Sequence, residues 1–332
     1  MTTFEELQEQ LFDLYAHGRL REALEVATRA AERFPENAAR TSYWRACLRS
    51  CLGEAGKAIA LLEDAVREGA WWSEATLNGD PDFDSIRHTP EFQEIVRECA
   101  LLHATAQEAA RPELLVVMPE AREGVGSAPQ PQPQPQLQPL SQPGVLPPLL
   151  ILLHSRGANA QRFARFGKVA ARAGILVAVP QSSQVCGKDE FCWDDEGLAE
   201  REVSSAYSKV AEAHRFDAGR VILAGASQGG RIAITMALKG EAFRSRGFIA
   251  VVPAVRDAEA LVPFIEPAVA RGVRGYIITG DKDQFYQDVR RMHAAMEDRA
   301  LRCELDVRPG MGHRFPPDFP ATLERAVDFI LG

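Results

Sequence analysis

The stretch Val221-Ile-Leu-Ala-Gly-Ala-Ser-Gln-Gly-Gly230 places Ser227 between Gly225 and Gly229 in the spacing G-x-S-x-G. Its apolar start reads as a strand, and Arg231 to Leu238 reads as the helix that follows. A serine at such a strand-to-helix turn sits in a strained backbone conformation, and small residues two positions to either side avoid clashes with the neighbouring strand and helix. Ser227 would then project at the positive end of the helix. A serine hydroxyl is a weak nucleophile until a base takes its proton. His313 is the candidate base. It lies in Gly310-Met-Gly-His-Arg-Phe315, between the apolar alternation Cys303 to Val307 and a closing helix over Leu323 to Leu331. His293 in mid-helix and His214 at a helix end are weaker candidates. A carboxylate must hold the imidazole in one tautomer and stabilise its charged form. Asp283, three residues past Gly280 at the end of the strand Arg274 to Gly280, is the expected acid, with Asp281 as the alternative.

Attack by Ser227 on a carbonyl needs two backbone N–H groups for the developing oxyanion. The residue after the nucleophile, Gln228, supplies one. The other comes from the loop after an early strand. Leu149 to Leu153 is that strand, His154-Ser-Arg-Gly157 is that loop, and Arg156 is the expected donor by position. His154 reads as a structural residue that shapes the loop. After the strand Ile175 to Val179, a long loop runs to Gly197 and carries Phe191, Trp193, Asp194 and Asp195. In this topology it lies at the carboxyl ends of the strands. Phe191 is therefore a candidate pocket residue, and Trp193 either walls the pocket or packs the loop down. Asp194 and Asp195 either repel anionic substrates or are solvated. Cys186 and Cys192 bracket the loop, and their pairing stays open.

The elements that must position these groups follow from a composition shift. From about residue 111 onward, short Val/Ile/Leu runs alternate with amphipathic stretches, the pattern of a mostly parallel sheet flanked by helices. Leu114 to Met118 reads as its first strand. The Pro/Gln alternation within Ala128 to Gly144 cannot build a core, so 128–148 is expected to be a mobile loop inside this domain. Residues 1–108 read as helix after helix, rich in Ala, Leu, Glu and Arg. Phe4 to Asn37 has Gly18 at a turn, Ala23 and Ala30 at close helix contacts and Pro35 at the end, and it resembles a tetratricopeptide repeat. A looser copy has Gly53, Ala58, Leu62 and Ala65. Trp44, Trp71 and Trp72 read as packing residues, and Cys47 and Cys51 as buried small hydrophobes.

Residues 111–332 resemble the α/β-hydrolase superfamily, in particular its phospholipase/carboxylesterase and dienelactone-hydrolase-like branch. The Gly225 to Gly230 turn, the order Ser227, Asp283, His313 and the His154 loop carry the resemblance. The loop departs from the His-Gly loop of esterases at Ser155, where Gly is usual. The resemblance implies a serine carboxylesterase acting on carboxylic esters or thioesters through an acyl-enzyme intermediate, with no metal and no cofactor. The repeats imply either a protein or peptide partner, or self-association, or else a fixed appendage packed on the catalytic domain. Two other readings stay open: a serine peptidase of the prolyl-oligopeptidase kind, and a scaffold whose hydrolase domain is idle.

Charge and composition bound the rest. The 332 residues carry 46 acids against 38 bases, a net charge of −8, which argues against a general nucleic-acid surface. No apolar run reaches the length of a membrane-spanning helix. The first ten residues, with three acids and no basic segment, do not resemble a secretory signal. Six cysteines are too few for a disulfide scaffold. A cytoplasmic enzyme with reduced thiols is the expectation.

Overall fold

Runs such as Leu149–Leu153 and Val221–Ala226, apolar without alternation, call for strands covered on both faces, and both are buried at every residue. In the computed structural model, which describes residues 2–120 and 146–332, they lie in the middle of a seven-stranded sheet. The Pro/Gln tract expected to be mobile falls outside the described residues, apart from its last three positions. Before the sheet come six helices: α1 (Phe4–Ala16), α2 (Leu20–Arg33), α3 (Ala38–Cys51), α4 (Ala55–Arg67), α5 (Glu74–Gly79) and α6 (Pro90–Ala109). The chain then runs through β1 (Glu113–Val117), β2 (Leu149–Leu153), α7 (Ala160–Arg172), β3 (Leu176–Gln181), the short β4 (Val185–Gly187) and β5 (Glu190–Phe191), and α8 (Glu196–Ala213). It continues with β6 (Val221–Ala226), α9 (Gln228–Lys239), β7 (Gly247–Val251), α10 (Ile265–Ala270), β8 (Arg274–Gly280), α11 (Tyr286–Glu297), β9 (Arg302–Arg308) and α12 (Phe319–Leu331).

The sheet has the order β1-β3-β2-β6-β7-β8-β9. Only β1 runs antiparallel, pairing with β3 from Glu113↔Gln181 to Val117↔Val177; every other neighbour pair is parallel. Successive strand residues point to opposite faces. Leu149, Ile151 and Leu153 pack with α8, α9 and α11, while Leu150 and Leu152 pack with α7 and α12. The outer strand β9 carries Arg302, Glu304, Asp306 and Arg308, charges that discourage a further strand from adding there. From β2 the chain steps to β3 on one side and later returns to β6 on the other. That reversal falls between β3 and β6, on either side of β2, and His154 and Ser227 follow β2 and β6 at their carboxyl ends.

Contact between elements divides the chain into two compact units. One holds the helices up to Ala110 together with Val185–Glu190; the other holds the remaining described residues, including the sheet. In the helical unit, Thr3 and Glu6 form a reciprocal cap on α1, and Ser73 and Thr89 cap α5 and α6. Ala23, Ala30 and Ala58 are almost completely buried where helices approach, and Trp71 and Trp72 are buried as expected. Of the two cysteines expected to be buried, Cys47 is and Cys51 is exposed, one helical turn further on at the end of α3. The Val185–Glu190 segment is held by backbone and side-chain bonds: Ser73 N–H to Cys186 O, Lys188 N–H to Trp71 O, and Val185 N–H to the Gln107 side chain at 3.1 Å. Phe83, on a short 3₁₀ turn, is fully buried against Tyr43 and Phe92. Phe83→Ala should destabilise this unit by about 3–5 kcal/mol, read as a lower midpoint in its urea unfolding.

Candidate active site

Ser227 stands between β6 and α9 with φ 53° and ψ −118°, a left-handed conformation costly for any residue with a side chain. Three backbone bonds hold it: Ser227 N–H to Val251 O at 2.9 Å, and the N–H groups of Ala254 and Arg231 to Ser227 O at 3.0 and 3.1 Å. The flanking glycines are required by close approach. A Cβ on Gly225 would lie 2.4 Å from the Gly229 carbonyl carbon, and one on Gly229 would lie 2.4 Å from Leu153 O. A second strained residue supports the turn. Val252, β-branched yet at φ 39°, bends the chain after β7 so that Ala254 reaches Ser227. Nothing in the local sequence marks it.

The structure brings Ser227, His313 and Asp283 together. His313 Nε2 lies 2.8 Å from Ser227 Oγ, and its Nδ1 lies 2.9 Å from Asp283 Oδ2. The Asp283 side chain is fully buried, whereas that of His313 is 30 % exposed. The other oxygen of Asp283 accepts the Phe285 N–H at 2.9 Å. A carboxylate accepting from Nδ1–H leaves Nε2 as the acceptor that faces the serine hydroxyl. The alternative acid, Asp281, accepts the Gly310 N–H at 2.7 Å and so fastens the loop that carries His313. His293 and His214 are remote in role: His293 binds Cys303 O, and His214 ends α8.

The loop after β2 is built on His154. This side chain is fully buried; its Nδ1 donates to Ser155 O at 3.0 Å, and its Nε2 accepts from Ser182 N–H at 3.3 Å. Buried Glu202 of α8 holds Ser182 and Ser183 in turn. Gly157 N–H is committed to Phe191 O at 2.9 Å, which removes Gly157 as an oxyanion donor beside Arg156.

The pocket expectation for Trp193 is corrected. Trp193 is completely buried, stacks on His154 with ring centres 4.6 Å apart, and donates its indole N–H to His154 O at 2.9 Å. It packs the loop down and lines no open cleft. Phe191 is half-buried, and its backbone pairs with Ala158 in the same loop. Neither aspartate is merely solvated. Asp194 binds the Arg156 guanidinium and the Gln228 side chain, while Asp195 caps α8 through Leu198 N–H at 2.8 Å. Sequence reasoning missed these roles. Arg156 in a loop of small residues was the available hint, since a part-buried guanidinium needs a carboxylate. Cys186 and Cys192 are both reduced.

Burial lowers the His154 pKa to about 4, against the opposing effect of its bond to Ser155. Above pH 6.5 the ring is neutral in both the folded and the unfolded chain and adds no pH dependence. Below that, only the unfolded chain takes up the proton, so stability should fall with pH until about pH 4, by roughly 3 kcal/mol in all. Denaturant titrations at several pH values should show this loss, and His154→Gln should remove it.

Residues 3–107 match the family described as A/B hydrolase-like, N-terminal domain, and residues 141–262 match Esterase PHB depolymerase. No curated protein matched. Among solved structures, an uncharacterized protein from Bacillus cereus ATCC 10987 aligns over 99 % of both chains at 23 % identity with a TM-score of 0.53. The esterase PE8 aligns over 57 % of this chain and 94 % of its own at 18 % identity and a TM-score of 0.48. Acyl-protein thioesterase 2 from Zea mays aligns over 66 % of this chain and 99 % of its own, at 14 % identity and a TM-score of 0.47. With a parallel sheet of this order behind a helical segment, and with these two matched segments, the chain is a hydrolase of the α/β-hydrolase fold.

Proposed function

We propose that this chain is a serine carboxylesterase that cleaves carboxylic esters, and thioesters of similar shape, through an acyl-enzyme. The observation that carries the reading is the continuous hydrogen-bonded line Asp283–His313–Ser227, with contacts of 2.9 and 2.8 Å. The match of residues 141–262 to an esterase family supports it. His313 Nε2 takes the Ser227 proton as Oγ attacks the acyl carbon, and Asp283 stabilises the imidazolium. The tetrahedral oxyanion is received by the N–H groups of Gln228 and Arg156, helped by the positive end of α9. His313 then protonates the departing alcohol or thiol. A water, deprotonated by the same nitrogen, releases the acid. No step calls for a metal or an organic cofactor.

Two helical hairpins, α1–α2 and α3–α4, turn at Gly18 and Gly53, 35 positions apart and both at positive φ, which supports reading the helical segment as tetratricopeptide-like. Among the described residues no helix is long and apolar enough to cross a membrane.

The test is hydrolysis of p-nitrophenyl esters from acetate to palmitate. Wild type should turn over part of the series, and its optimum chain length sizes the acyl site. Ser227→Ala and His313→Ala should each lower kcat/KM by about 10⁴-fold or more. A Ser227→Ala rate equal to that of the wild type would refute the reading, as would failure of a fluorophosphonate probe to label Ser227 in the intact protein.

A further inference from the structure

The two expected oxyanion donors sit on separate segments, Arg156 after β2 and Gln228 at the start of α9. Both N–H groups must come within about 2.7–3.1 Å of one oxygen, so the spacing between the segments has to be held. The Arg156 side chain is 36 % exposed, and its guanidinium pairs with Asp194. The Gln228 side-chain amide donates to the same carboxylate at 2.6 Å, while its carbonyl oxygen accepts the Trp193 N–H at 3.0 Å. Thus the side chains of both donor residues converge on one acid.

We propose that Asp194 is a positioning residue for ester hydrolysis: its carboxylate ties Arg156 to Gln228 and thereby sets the separation of the two N–H groups that receive the oxyanion. This rests on the esterase reading above. The carboxylate is delivered from a fixed base. Trp193, immediately before it, is buried and bonded to His154 O, and Asp195, immediately after it, caps α8. The carboxyl also stays ionised. Burial pulls its pKa up, but hydrogen bonds from Arg156 and Gln228 and the Arg156 charge carry it below the usual carboxylate range. An ionised acid is the form that accepts from both partners at once. Asp194 touches no reacting atom in this scheme. It acts through the two residues that do.

The experiment compares full-length wild type with Asp194→Ala and Asp194→Asn on a short p-nitrophenyl ester. It adds the inhibition constant of a trifluoromethyl ketone, whose tetrahedral adduct presents an oxyanion, and thermal unfolding. Asp194→Ala should lower kcat by about 10- to 100-fold, less than loss of a whole donor, with KM within about threefold of wild type. Inhibitor affinity should fall in proportion to kcat/KM. Asp194→Asn keeps the shape and an acceptor for Gln228 but loses the ion pair, so it should fall between the two. If the alanine variant does not fold, the same split is read from the asparagine variant alone. Unchanged kcat in a folded variant would overturn the proposal, as would a loss confined to KM or unaltered inhibitor affinity. Those outcomes leave the Ser227→Ala result untouched, so failure of this inference is separable from failure of the esterase reading.

Discussion

The left-handed backbone at Ser227 is the constraint on which the site depends. To hold a side-chain-bearing residue at φ 53°, β6 and α9 must meet so closely that Gly229 lies under the carbonyls of Leu153 and His154. Close packing of that kind leaves no continuous range of alternatives. It fixes where β2 ends, and hence where its loop begins. The same His154 carbonyl that crowds Gly229 also accepts the Trp193 indole N–H. One residue therefore joins the strand, the helix that follows Ser227 and the loop from β3. His154 suits this place because a neutral imidazole both donates and accepts, satisfying Ser155 and Ser182 without a buried charge.

Asp283 and His313 come from the opposite half of the sheet, and their loops are tied to each other. Asp281 and Asp283 lie two residues apart after β8 and divide the work. The first accepts from the backbone of the His313 loop, and the second accepts from the imidazole itself. An exposed histidine loop is thus anchored at its root while the His313 ring keeps access to solvent. The Asp283 carboxyl faces His313 Nδ1 and the Phe285 N–H, and its side chain is fully buried.

The parts of this arrangement that were legible beforehand are those written in short stretches of chain. The turn glycines flank Ser227 within two positions, Asp283 follows a strand and its glycine, and His313 sits in a glycine-bounded loop before the last helix. The strands themselves were legible because parallel strands, covered on both faces, need unbroken apolar runs. The roles of Trp193, Asp194 and Glu202 were not legible. Each is set by a partner 19 or more residues away, and a tryptophan near a site reads equally well as a wall or as packing. Choosing between Asp281 and Asp283 likewise required the distance to His313. Val252 carries no local sign either, because its strain is imposed by the hydrogen bonds on both sides of it.

The assignment of Val185–Glu190 to the helical unit bears on how the chain acquires its structure during synthesis. The backbone of Trp71 and Ser73 and the side chain of Gln107 find their partners in a segment made only after β1, β2 and β3 have been translated. The six helices therefore emerge first but cannot complete their hydrogen bonding alone. Until residue 190 is available, the backbone donor of Ser73 and the carbonyl of Trp71 must be satisfied by water. Maturation of the N-terminal unit is in this way tied to the first half of the sheet, through contacts of long sequence separation of the kind that slow folding. A simple amino-terminal-first order, in which one domain is finished before the next begins, does not describe this chain.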